Sequence, residues 1–116
     1  NACGLSCDSS GFSSFKTLMQ ALRARFGTDL VTAAVTASAA NVDRADYAGA
    51  AQYVNWYNIM TYDYFGAFNA QGPTAPHSPL SSYPGIPTAG FDTLDSVAKY
   101  RSIGVPANKL MFGIGF

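Results

Sequence analysis

The sequence contains no glutamate. Its acidic residues are the aspartates Asp8, Asp29, Asp43, Asp46, Asp63, Asp92 and Asp95, so a reaction that needs a glutamic acid cannot be completed within these 116 residues. Charge of either sign is scarce: charged residues make up 12% and the formal net charge is zero. No basic stripe or charge block occurs, which argues against nucleic acid or an anionic membrane surface as a partner. No apolar run approaches the roughly 18 residues that a bilayer-spanning helix needs. Histidine occurs once, as His77, and cysteine twice, as Cys3 and Cys7. These are too few ligands for a metal site, and no metal or cofactor is expected. A tight local disulfide between Cys3 and Cys7 is the better reading and suits an oxidising compartment. Two free thiols are the alternative, because the geometry of a bridge is not legible in sequence. No signal-peptide pattern is present.

What is present describes a globular α/β chain, with 48% hydrophobic residues. Phe12, Phe15, Leu18, Met19, Leu22 and Phe26 recur at helical spacing, Arg23 and Arg25 favour the helix C-terminus, and Gly27 stops it. This predicts a helix from about Ser13 to Phe26. Leu30 to Ala37, Val54 to Tyr62 and Lys109 to Phe116 read as strands buried on both faces. Asp43 to Tyr53 is alanine-rich and predicts a second helix. Asp92 or Thr93 caps a third, running to about Ile103 and ended by Gly104. Between Asp63 and Gly90 lies a long loop holding five of the six prolines, and loops of that length usually carry function. Helix and strand alternate, which implies a parallel sheet. There is no internal repeat and no linker, so residues 1–116 are expected to form one domain. Both ends read as cut: Asn1 opens in mid-loop and Phe116 closes inside an apolar strand.

Parallel α/β folds place their sites at the C-terminal ends of strands. Ala37-Ser38, Tyr62-Asp63-Tyr64 and the end of the last strand all qualify. The middle one stands out. Alternation puts Asn58, Met60 and Tyr62 on one face, and polar Asn58 and Tyr62 suit a pocket better than a dry core. Tyr53, Trp56, Tyr57, Tyr62, Tyr64, Phe65 and Phe68 crowd the region. Their flat faces match sugar rings, although strand aromatics are ordinarily core residues. Asp63 could orient a catalytic acid, accept from a substrate N–H, tune a neighbour's pKa, or merely cap its own loop. His77 lies in a proline-rich loop without an orienting carboxylate beside it in sequence, which favours a structural or surface role.

The segment Asn58-Ile59-Met60-Thr61-Tyr62-Asp63-Tyr64-Phe65-Gly66 resembles the sixth-strand motif of glycoside hydrolase family 18 chitinases. Val54-Asn55-Trp56-Tyr57 is similar to the usual start of that strand, with Asn55 where family members often have Asp. Gly104-Val105-Pro106-Ala107-Asn108-Lys109-Leu110 and Gly113-Ile114-Gly115-Phe116 resemble the approach to the seventh strand and the strand itself. Asn-Ala-Cys-Gly-Leu-Ser-Cys-Asp at the start resembles the loop after the fourth strand in actinobacterial-type secreted members.

The resemblance covers essentially the whole chain. It implies a partial TIM (β/α)8 barrel, roughly from the loop after strand 4 to strand 7. The family's Asp-x-x-Asp-x-Asp-x-Glu signature would then lie upstream of Asn1.

The implied chemistry is substrate-assisted and retaining. A glutamic acid outside this chain protonates the glycosidic oxygen, and the substrate's own 2-acetamido oxygen attacks the anomeric carbon. Tyr62 would donate to that acetamido carbonyl, Asp63 would contact the acetamido group or sugar, and Met60 would line the pocket floor. The implied partner is chitin or its N-acetylglucosamine oligosaccharides, acted on by an extracellular monomer. A chitinase-like lectin without hydrolysis, an endo-β-N-acetylglucosaminidase, and a stand-alone parallel α/β domain are the rival readings.

Overall fold

The computed structural model describes Ser6 and residues 9–116. Cys3 and Cys7, with the bridge expected between them, lie outside the described residues. The elements are α1 (Ser14–Phe26), β1 (Thr32–Val35), α2 (Ala39–Val42), α3 (Tyr47–Ala50), β2 (Trp56–Ile59), α4 (Thr93–Ser102), a 3-10 turn (Ala107–Lys109) and β3 (Leu110–Phe112). The three strands form one parallel sheet in the order β1-β2-β3. Ala34 stands opposite Asn58, and Asn58 opposite Met111. No helix among the described residues is long and apolar enough to cross a membrane.

Two helix ends follow local chemistry. α1 stops at Gly27, whose φ of 56° is open to glycine at no steric cost. α4 starts at Asp92, whose carboxylate accepts from the Asp95 N–H at 2.9 Å. Of the single helix expected over Asp43–Tyr53 only the short α3 is helical, and a separate short helix, α2, ends before Asp43. Asp46 sets the start of α3: its carboxylate accepts from the Gly49 N–H at 2.8 Å.

The core lies on one face of the sheet. Val35, Tyr57 and Ile59 are buried there with Val42, Ala50, Tyr100 and Val105. Tyr47 packs edge-on to Tyr57 and Tyr100, with ring centroids 5.9 and 5.4 Å away, and Phe15 sits 4.9 Å from Tyr47. Burial pushes the Tyr57 and Tyr100 hydroxyls far above their ordinary range. They stay protonated and donate to the carbonyls of Tyr47 and Thr36, each at 2.8 Å.

The strands are not buried on both faces, as their apolar runs predict. Thr32, Ala34, Asn58 and Met111 are exposed on the second face, because no described element covers it. In a barrel, that face lines the interior. The strands are also shorter than expected. After Gly113 the chain spends its amide donors elsewhere: the Gly115 N–H goes to Ser78 Oγ at 3.2 Å instead of to a neighbouring strand.

Candidate functional site

At the C-terminal ends of β1 and β2 the sheet opens into a cleft of about 390 Å³ lined by Thr36, Ala37, Ser38, Met60, Tyr62, Asp63, Tyr64, Phe68 and Phe91. Side-chain alternation continues past the end of β2. Ile59 and Thr61 are buried, while Met60 and Tyr62 are 38% and 36% exposed. Asn58 follows the same face one step below, and its Oδ1 accepts from the Trp56 indole N–H at 3.2 Å. The Tyr62 hydroxyl makes no hydrogen bond among the described residues. Asp63 departs from the strand altogether, with φ at 57°. Its carboxylate is 73% exposed and lies 3.6 Å from His77 Nδ1.

The wall behind this cluster is a continuous set of hydrogen bonds. Tyr64 donates its hydroxyl to the Asp92 carbonyl at 2.9 Å and lies 2.6 Å from Ser96 Oγ. Ser96 in turn reaches the Ala37 carbonyl at 2.9 Å. The top of β1, the start of the long loop and the first turn of α4 are thereby tied together. Burial raises the Tyr64 hydroxyl above its ordinary value, which keeps it a donor.

The long loop folds back onto the strand ends. Ser78 Oγ donates to the Thr61 carbonyl at 2.8 Å, Tyr64 N–H donates to the His77 carbonyl at 3.0 Å, and Thr61 Oγ1 donates to the Gly113 carbonyl at 2.7 Å. Gly113 and Gly115 make the room. A Cβ on Gly113 would fall 2.6 Å from Tyr62 Cε1, and one on Gly115 would collide with the His77 ring.

Of the three strand ends singled out in the sequence, Ala37-Ser38 and Tyr62-Asp63-Tyr64 share the cleft, and the end of the last strand lies outside its lining but close to Tyr62 through Gly113 and Gly115. Phe68 and Phe91 close one side. Of the other aromatics noted, Tyr57 is core. His77 was expected to be structural or at the surface, with no carboxylate beside it in sequence; in the fold the Asp63 carboxylate stands 3.6 Å from its Nδ1. The alternate glycines of Gly113-Ile114-Gly115 were the available signal for a close approach. A larger cleft, about 660 Å³ between the start of α1 and α2, carries Arg44, Asn41 and Thr36 but neither carboxylate nor imidazole.

A parallel sheet with an aromatic, carboxylate-bearing cleft at its strand ends defines an α/β protein whose site sits where TIM-barrel enzymes place theirs. The sequence pattern of the glycosyl hydrolases family 18 matches residues 7–116, and the chain belongs to that family. Chitinase C of Streptomyces lividans and chitinase 63 of Streptomyces plicatus are each 58% identical to it over 121 residues. Those alignments take in 100% of this chain and 20% of each relative, so the chain spans about a fifth of their length. The second catalytic domain of the Ostrinia furnacalis group II chitinase, solved in complex with penta-N-acetylchitooctaose, (NAG)5, superposes with a TM-score of 0.80 at 26% identity. That superposition covers 86% of this chain and 26% of the Ostrinia chain. The fold is accordingly of the TIM-barrel α/β type.

Proposed function

We propose that this chain forms part of a single catalytic barrel, roughly from the loop after strand 4 to strand 7, in a secreted, monomeric chitinase. The enzyme hydrolyses β-1,4 N-acetylglucosamine linkages with retention, and the substrate's acetamido oxygen acts as nucleophile. The observation that carries this reading is Tyr62, which lines the cleft with Met60 and Asp63, is 36% exposed, and has no partner for its hydroxyl among the described residues. The names of the relatives point to the same substrate class.

In this reading Tyr62 donates to the acetamido carbonyl and holds its oxygen against the anomeric carbon. The attack is then intramolecular, a large part of the acceleration. Asp63 contacts the acetamido group or the sugar. Met60 forms the floor, and Phe68 and Phe91 offer apolar faces to the ring. The proton donor is a glutamic acid. With no glutamate in these residues, it comes from elsewhere in the polypeptide.

The test is Tyr62→Phe in the full-length polypeptide, assayed on chitin oligosaccharides. Turnover falls by about 10²-fold or more with the melting temperature unchanged; an unaltered rate removes Tyr62 from the mechanism. Sugar binding without cleavage by the wild type would instead mark a lectin. The isolated 116-residue chain is expected to cleave nothing.

A further inference from the structure

Among the described residues, Asp63 is the one non-glycine with positive φ. A left-handed residue directly after Tyr62 sets the direction of both side chains, and that conformation persists only if its surroundings enforce it. The enforcing group is His77. Its Nδ1 accepts from the Asp63 N–H at 3.4 Å, while its carbonyl accepts from the Tyr64 N–H at 3.0 Å. One loop residue thus grips the turn from both sides.

The ring is itself fixed. Ser78, next in sequence, donates to the Thr61 carbonyl and accepts from the Gly115 N–H. Gly115 gives the imidazole a seat that any Cβ would occupy. In the neutral ring, an Nδ1 that accepts the amide leaves the proton on Nε2. An accepting lone pair offers a carboxylate nothing. The Asp63 oxygen 3.6 Å away is therefore free to turn toward the cleft.

We propose that His77 is a positioning residue for chitin hydrolysis: its Nδ1 holds the Asp63 turn and thereby aims the Tyr62 hydroxyl and the Asp63 carboxylate at the substrate. This role rests on the chitinase reading above. His77 touches no reacting atom; it acts through the backbone of Asp63.

The test compares His77→Ala, His77→Asn and His77→Gln in the full-length enzyme, with kcat and KM measured on a chitin oligosaccharide beside each melting temperature. Asn places an acceptor oxygen where Nδ1 stands, whereas Gln places one nearer Nε2. His77→Ala is expected to lower kcat about tenfold or more with KM changed less than about threefold, the signature of lost alignment. His77→Asn restores most of kcat and His77→Gln does not. Equal rates for the Asn and Gln variants, or a wild-type rate in His77→Ala, overturn the role while leaving the chitinase reading standing. The Asn–Gln comparison decides the matter even if the alanine variant fails to fold. A wild type that leaves the oligosaccharide intact overturns the chitinase reading, and this role with it.

Discussion

Tyr57 and Tyr62 lie five residues apart on one run of chain and serve opposite ends. Tyr57 faces the helices, is fully buried, and donates its hydroxyl to the Tyr47 carbonyl at 2.8 Å. Tyr62 faces away, is 36% exposed, and leaves its hydroxyl without a partner among the described residues. An odd separation on an extended chain places two side chains on opposite faces. The same side chain therefore becomes a structural tie on one face and an available donor on the other. A buried hydroxyl must be satisfied from within, while a hydroxyl at a cleft can stay unspent for a ligand.

The sharpest way to break this comparison is truncation on both faces. Tyr57→Ala removes a fully buried ring wedged among Phe15, Tyr47 and Tyr100. We expect a loss of about 3–5 kcal/mol, read by chemical denaturation of the full-length protein. Tyr62→Ala costs about 1 kcal/mol or less, because the residue is 36% exposed and its hydroxyl makes no hydrogen bond among the described residues. Similar losses from the two would mean that the open face also carries stability.

The contrast between faces was legible in the sequence only in part. Period-two alternation identified Asn58, Met60 and Tyr62 as one face, and the period held through Tyr62 although the ladder of β2 ends at Ile59. The same apolar runs overstated burial, since hydrophobicity marks a strand's preference and not what covers it. Asp92's cap was legible because it is local. The Asp46 cap that starts α3 was equally local, but alanine-rich helix propensity outweighed it in the reading. His77 was illegible for a different reason. Its partner lies 14 residues back, across a proline-rich loop whose path is fixed by Ser78, Gly115 and Thr61. No spacing rule encodes such a contact.

A middle-sized effect sharpens the claim that the closed face uses hydroxyls as ties. Tyr100 is fully buried and its hydroxyl reaches the Thr36 carbonyl, at the rim of the cleft. Tyr100→Phe keeps the ring and removes the donor, leaving that carbonyl short of a partner. The expected cost is about 1–2 kcal/mol. An unchanged stability would show that packing alone holds this face.

The smallest effect concerns the foot of β2, at the end of the strand away from the cleft. Arg23 gathers the carbonyls of Tyr53, Gly27 and Asp29 at 2.9, 2.7 and 2.8 Å, and its remaining nitrogen reaches Asn55 Oδ1 at 2.6 Å. The same Oδ1 accepts from the Val31 N–H at 2.8 Å. Every one of these acceptors is neutral, so a half-buried guanidinium has no countercharge in its own cluster. Asn55→Asp keeps both bonds and makes them charge-assisted, for a gain of about 0.5–1.5 kcal/mol after the cost of desolvating the carboxylate. The sign with pH follows from the pairing. A cation beside the new carboxylate favours its ionised form and depresses its pKa. The gain is therefore present above the ordinary carboxylate range, about pH 4, and disappears as pH falls through the depressed value. High salt should erode it only partly, because the pair is half-buried. Denaturation at pH 7 and again near pH 2 separates the outcomes: a variant less stable than the wild type at pH 7 would show that this foot is held by amide geometry alone, and that charge adds nothing to it.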